Sequence, residues 1–271
     1  MPTLQRRQSN VMTINLSDYE AGAAFDGDYD KKLKKLQKRL TELQSLHILH
    51  GCRTLIVLEG WDAAGKGGAI KRMTATLDPR YFQVYPISAP TAEEKAKHFL
   101  WRFWSKLPGP NEIHIWDRSH YGRVLVERAE GYCSEAEWRR GYDEINEFES
   151  QQVEIGTKLI KIFLHVTQET QDIALKERLE KPSKRWKVTA DDFRNRAKRN
   201  EYLAAISEMF AQTDTRWAPW RILDANNQEA ARIAALEHVV TELESHVPQE
   251  FPEVSGEIAK LAKEANIWSK K

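Results

Sequence analysis

Five short apolar runs narrow the folds open to this chain: RTLIVLE from Arg53, Phe82 to Ile87, EIHIW from Glu112, KLIKIFLHV from Lys158, and WRILD from Trp220. Their shortness and their Val, Ile and Leu content mark strands buried on both faces. Between them the apolar residues recur at helical spacing. Leu33, Leu36, Leu40, Leu43, Leu46 and Ile48 line a first helix from Asp30. Thr91 with Glu94, and Ser134 with Glu137, are capping boxes that open helices over 91–106 and 134–153. Further helices are predicted over 167–180, 189–213, 227–244 and 258–267. Strands alternating with helices must run parallel, joined by right-handed crossovers. The expected fold is therefore a three-layer α/β/α domain with a mostly parallel five-stranded sheet.

A chain of 271 residues can bury one sizeable core without splitting in two. Residues 1–29 are polar and aperiodic and read as a flexible arm, residues 30–247 as the domain, and 248–271 as a tail. Hydrophobic content of 41% beside 30% charged residues argues against wholesale disorder. A formal charge of +1, with no aromatics interleaved among the basic positions, argues against a nucleic-acid partner. No apolar run approaches the roughly eighteen residues needed to span a bilayer, so no membrane partner is expected. Cys52 and Cys133 form neither a disulfide framework nor a zinc pattern, and His47 with His50 lacks a second ligand pair. The acidic first thirty residues are no secretory leader, and the expected compartment is the cytoplasm.

The first strand runs straight into GWDAAGKGG, Gly60 to Gly68, and then into a helix. Glycine turns let successive N–H groups converge on one oxygen cluster, and the helix start adds partial positive charge. Gly60, Ala63, Ala64, Gly65, Gly67 and Gly68 are thus candidate phosphate-binding residues, with Lys66 supplying a full charge. Gly67 stands where such loops usually place a Ser or Thr for Mg²⁺. A hard cation still needs oxygen ligands, and Asp62 is the replacement at hand; otherwise it is an exposed turn aspartate.

Asp117, at the end of the EIHIW strand, is placed to be a second metal-orienting carboxylate, a helix cap, or both. Arg118 and Arg123 are candidates for phosphate contacts through their fork geometry, and Arg128 for a salt bridge with a nearby acid. His120 and Tyr121 fit packing or contact roles equally. The aromatics Phe99, Trp101, Phe103 and Trp104 fit a core or a subunit interface. A basic interruption, LEKPSKRWKV, joins two helices between the fourth and fifth strands over about 175–200. Helix–turn–helix segments in that position act as lids over reacting phosphates, with Arg178, Lys181, Lys184, Arg185 and Lys187 as candidates. A solvated basic face is the competing reading.

Taken together, GWDAAGKGGAIKR, WDRSHYGRVLVERAEG and RLEKPSKRWKVTADDFRNR resemble the family-2 polyphosphate kinases, from about Asp30 to about Val247. The resemblance implies a P-loop kinase fold with a helical lid. It implies Mg²⁺-dependent phosphoryl transfer between inorganic polyphosphate and a nucleotide such as ADP, GDP or AMP. It implies functional roles for Asp62, Lys66, Asp117 and Arg118, with Asp62 and Asp117 on the metal, and a lid arginine at Arg178. It also implies a homo-oligomer. Lys71, Arg72, Arg80 and the lid lysines are then candidates to line a groove for the polyphosphate chain. The rival readings are an ATP-dependent nucleoside monophosphate kinase and a non-catalytic nucleotide- or polyphosphate-binding regulator.

Overall fold

The computed structural model describes residues 14–268. In chain order its elements are α1 (Tyr29–Leu49), β1 (Arg53–Gly60), α2 (Lys66–Thr74), β2 (Phe82–Pro86), α3 (Ala92–Lys95), α4 (Trp101–Trp104) and β3 (Ile113–Asp117). There follow α5 (Val126–Glu130), α6 (Glu135–Glu154), β4 (Thr157–His165), α7 (Gln168–Glu180), α8 (Ala190–Ala197), α9 (Arg199–Thr213), β5 (Trp220–Asp224), α10 (Gln228–His246) and α11 (Gly256–Glu264). The sheet order is β2-β3-β1-β4-β5, with each pairing parallel. Helices cover both faces, as expected. β1 lies between β3 and β4, and the chain crosses from one side of it to the other between those two strands, so the crevice beyond the carboxyl end of β1 lies at a switch in topology.

β1 buries six consecutive positions, Thr54 to Glu59, and β4 buries Leu159 to His165 without interruption. That pattern follows from their central place between two helical layers. Among the described residues no helix is long and apolar enough to cross a membrane.

Two expected helices are each broken in two. The stretch 91–106 keeps its capping box at Thr91 and Glu94 but stops after one turn. The chain then turns so that Leu100 and Phe103 reach the core, where the Phe103 ring packs 5.1 Å from Trp116. Trp101 and Trp104 stay on the surface. The stretch 189–213 breaks at Lys198 into α8 and α9. α9 buries Ala205, Ile206, Met209 and Phe210 in the core, whereas α8 lies across the glycine loop, and one straight helix cannot do both. Between β3 and α6 the chain adds a 3₁₀ turn (His120–Arg123) and α5, which carry no sequence period.

The expected arm needs correction as well. Residues 1–13 lie outside the described part, but 14–28 are bound to the domain. Leu16 is buried, the Gly22 N–H donates to Asp224 Oδ2 at 2.6 Å, and Glu20 accepts from His165 Nε2 at 2.9 Å. Scattered contacts of this kind leave no periodic signature. In the tail, α11 begins two residues earlier than its expected start, and it buries no residue.

A charge lies inside the core. Lys161 of β4, fully buried, donates to Glu149 of α6 at 2.9 Å, to the Tyr121 hydroxyl at 3.0 Å and to the Thr213 carbonyl at 2.7 Å. Glu149 also accepts from Tyr121 at 2.7 Å and faces His120 Nε2 at 3.1 Å. His120 and Tyr121 thus serve packing. Removing one member leaves the other charge buried without its partner, at a cost of roughly 3–5 kcal/mol. Lys161→Met is expected to lower unfolding stability by that order in urea titrations. A midpoint unchanged from wild type would contradict the role given to this pair.

Candidate active site

The site is built on backbone that ordinary residues rarely adopt. Gly60 closes β1 at φ 141°, and a Cβ there would sit 2.4 Å from the Leu164 carbonyl oxygen. Only glycine lets the chain leave the sheet at that point. Ala63 at φ 64° and Gly65 at φ 101° then bend the loop into the first turn of α2. Gly65, Lys66 and Gly67 are left with amide N–H groups that reach no protein acceptor among the described residues. Such N–H groups at a helix start form an anion cradle. Lys66 folds back over the loop, donating to the carbonyls of Gly60 at 2.7 Å and Trp61 at 2.9 Å. Burial lowers its pKa, an effect that the adjacent Arg118 strengthens and Asp62 and Asp117 oppose.

β3 brings the second half of the site. Its register on β1 sets Asp117 opposite Leu58, and the Arg118 N–H donates to the Leu58 carbonyl at 3.0 Å. Arg118 has φ 66°, unusual for a long side chain, and its guanidinium turns back to pair with Asp62 Oδ1. The other oxygen of Asp62 accepts from Asn195 Nδ2 at 2.7 Å, and its carbonyl accepts from Gln171 at 3.1 Å. Burial raises the pKa of the Asp62 carboxyl, but Arg118, Lys66 and Asn195 outweigh that and hold it below the ordinary range. Asp62 is therefore an ionised, enclosed carboxylate and no exposed turn residue. The Asp117 carboxylate receives no hydrogen bond among the described residues, so it caps no helix, and its charge acts on Lys66 and Arg118.

Other candidates are dispersed. Arg178 on α7 stands 3.9 Å from Asp192 and 3.4 Å from the Lys187 carbonyl, with its charge felt at Asp62. Lys181 and Lys184 both pair with Glu177 on the lid's outer side, and Arg185 donates to the Leu179 carbonyl at 2.8 Å. Lys187 lies over the ring of the exposed Trp186. Arg123 is drawn away from the loop, 3.2 Å from Glu127 and over the Phe99 ring at 4.7 Å. Arg72 turns toward α1, donating to Tyr29 at 2.8 Å and to the Gly68 carbonyl at 3.0 Å, while Lys71 is exposed. Arg80 pairs with Asp78 at the surface. Arg128 bonds Glu208 at 2.7 Å, as expected.

Three site residues escaped the sequence reading. Glu59 is buried beneath the loop and accepts from Ser119 Oγ at 2.7 Å; burial raises its pKa, partly offset by Ser119 and Lys66. An acid ending an apolar strand was the available signal. Asn195 and Trp61 carried none. The Trp61 indole donates to His165 Nδ1 at 2.9 Å, lies edge-on to that ring, and is capped by Arg199 at 4.1 Å. An indole N–H can only donate, so His165 Nδ1 accepts and its Nε2 carries the proton given to Glu20.

Asp62 and Asp117 offer hard oxygen ligands beside a cradle for anions. No cluster of three or more His, Cys, Asp or Glu residues suited to a metal occurs among the described residues. A pair of carboxylates nevertheless fits Mg²⁺, which keeps several waters and takes its remaining ligands from substrate phosphates.

Residues 24–250 match the polyphosphate kinase 2 family. The chain is 44% identical over 242 residues to a polyphosphate:AMP phosphotransferase of Acinetobacter johnsonii, covering 89% of this chain and 50% of that protein. It is 38% identical over 217 residues to ADP-polyphosphate phosphotransferase 3 of Rhizobium meliloti, covering 80% of this chain and 76% of that protein. The crystal structure of polyphosphate kinase 2 from Arthrobacter aurescens TC1 superposes with a TM-score of 0.81 at 32% identity, over 94% of this chain and 93% of that one. The chain spans about half the length of the polyphosphate:AMP phosphotransferases that it matches.

The loop backbone predicts a contrast between two glycines. Gly60→Ala forces a methyl into the Leu164 backbone and is expected to cost well over about 2 kcal/mol, combining strain and clash. Gly65→Ala meets nothing within 4 Å and should cost only the conformational strain, roughly 1–2 kcal/mol. Chemical denaturation of the two variants separates them, and equal losses would refute the packing argument.

Proposed function

Since the chain belongs to the polyphosphate kinase 2 family, we propose that it moves phosphoryl groups reversibly between inorganic polyphosphate and a nucleoside mono- or diphosphate, with Mg²⁺ as the cofactor. The observation that carries this reading is the convergence of Asp62, Lys66, Asp117 and Arg118 at the carboxyl ends of β1 and β3. Relatives named for AMP, ADP and GDP support the nucleotide as acceptor.

The acceptor phosphate is already ionised at neutral pH, so the protein needs no general base and must position and neutralise. The loop amides and Lys66 hold the phosphate in transfer, with the lysine giving up its bonds to the Gly60 and Trp61 carbonyls to do so. Arg118, released from Asp62, and Arg178, carried by the lid, stabilise the charge that spreads over the transferred group. Asp62 and Asp117 would hold Mg²⁺, whose contribution when bound is to neutralise and align the donor and acceptor oxygens. The free carboxylate of Asp117 supports that role.

Lys71, Lys181 and Arg185 are exposed and Lys184 is half-buried, positions from which a long polyanion can be guided. Arg123 contributes through the fold beneath α5 instead. We place the reaction in the cytoplasm, where the unpaired Cys52 and Cys133 stay reduced. We also infer a homo-oligomer, with the exposed Trp101 and Trp104 available to an interface.

Incubation of the protein with ADP, Mg²⁺ and long-chain polyphosphate, without any other nucleotide, is expected to yield ATP. Lys66→Ala and Asp117→Asn should each lower the rate by on the order of 10²–10³. Phosphorylation of a nucleoside monophosphate by ATP, with polyphosphate inert, would instead identify an ATP-dependent kinase. Nucleotide binding without turnover would identify a regulator.

A further inference from the structure

Asp62 is held from three directions, and one of its partners belongs to the lid. Arg118 of the β3 end takes Oδ1, Gln171 of α7 takes the backbone carbonyl, and Asn195 of α8 takes Oδ2. The Asn195 amide is itself oriented. Its Nδ2 must face the carboxylate, since two acceptor oxygens would repel, and this turns Oδ1 toward the Tyr202 hydroxyl 2.9 Å away. Tyr202, on α9, is buried and packs with its ring centroid 6.2 Å from that of Trp61 in the loop. The orienting hydroxyl is thus anchored to the same loop as Asp62. Helical spacing explains the aim of α8: Asp192 and Asn195 share the inward face, while Asp191, Phe193 and Arg194 look outward.

The two oxygens of Asp62 are therefore unequal. Oδ1 is held by a half-exposed cationic side chain that a phosphate can attract away, whereas Oδ2 is held by a neutral amide fixed by Tyr202. We infer that Asn195 is a positioning residue of the reaction: it fixes the Asp62 carboxylate through Oδ2, so that Oδ1 is presented to the divalent cation when the lid lies over the loop. The inference rests on the proposed role of Asp62 as a metal ligand. It assigns to α8 a function other than carrying charge, because lid closure completes the carboxylate's geometry. A neutral donor suits this task, since a cation at Oδ2 would compete with the metal for the same carboxylate. Partners of this kind, bonded to a metal ligand, typically govern affinity by 10–100-fold.

The test compares wild type with Asn195→Ala, Tyr202→Phe and the outward control Asp191→Ala. Mn²⁺ binding in the presence of ADP is followed by water-proton relaxation, and ATP synthesis from polyphosphate is measured against Mg²⁺ concentration. Asn195→Ala is expected to raise the half-saturating Mn²⁺ and Mg²⁺ concentrations about tenfold. The maximal rate at saturating Mg²⁺ should fall by a smaller factor. Tyr202→Phe, which keeps the ring and loses only the orienting hydroxyl, should shift the same concentrations by about threefold, and Asp191→Ala should leave them unchanged. In the metal-free protein, amide exchange over residues 190–197 should quicken in Asn195→Ala, because the bond from lid to loop is lost. Half-saturation within twofold of wild type in a folded Asn195→Ala protein would overturn the inference. If that variant does not fold, an unshifted Tyr202→Phe does the same. A wild type that makes no ATP from ADP and polyphosphate would defeat the reaction assigned above, while the Mn²⁺ titration would still decide what Asn195 does.

Discussion

Parallel pairing of β1 with β3, in the register that sets Leu58 opposite Asp117, is the constraint from which the site follows. The pairing ends where the Arg118 N–H meets the Leu58 carbonyl; β3 leaves the sheet there, while β1 stays paired with β4 for two residues more, to Gly60. One leaves through Gly60 into the loop, and the other through Asp117 and Arg118. Because side chains alternate along a strand, a slip by one residue would turn Asp117 to the opposite face of the sheet. The apolar neighbours Ile56, Val57, Ile115 and Trp116, all buried, hold the register by burial on both faces.

Strain and charge at this edge are offset by the sheet behind it. Ala63 and Arg118 both occupy left-handed backbone, at roughly 1–3 kcal/mol each, and such conformations persist only where the surroundings over-determine them. Here the surroundings are β1 and β4, and the indole of Trp61 bonded to His165. The charges are arranged so that Lys66 and Arg118 face Asp62, Asp117 and Glu59 within one crevice. A phosphate and a divalent cation add charges of opposite sign to such a crevice, so neither set of side chains is left uncompensated. The lid takes part in this balance through Asn195 and Arg178, which ties its position over the loop to the state of Asp62.

The legibility of particular elements follows from the range of the interactions that make them. The strands and the helices α1, α6, α7 and α10 carry their own periodicity and caps, and they lie where the sequence puts them. The breaks at Lys95 and Lys198 were not legible, because the local sequence favours helix on both sides and the turn is imposed by what each half must pack against. Residues 14–28 were misread as an arm for a related reason. Leu16 is buried, and Glu20 and Gly22 attach to His165 and Asp224, distant partners met only one at a time. Among site residues, Asp62, Lys66 and Asp117 were legible because each occupies a fixed place relative to a strand end. Arg123 was not, since its guanidinium is claimed by Glu127 and Phe99.

The amino-acid sequence by itself determined the α/β architecture, the glycine loop between the first strand and its helix, and the acid at the end of the third strand. These rest on spacing along one segment, and burial on both faces of a strand is written in the residues themselves. Only the tertiary structure decided which charges meet: that Arg118 turns back to Asp62, that Asn195 reaches it from the lid, and that Lys181 and Lys184 turn outward to Glu177. Asp62 and Asn195 are 133 positions apart, and no local pattern encodes their meeting. It is set by the break that frees α8 from α9 to lie over the loop, while α9 stays buried in the core.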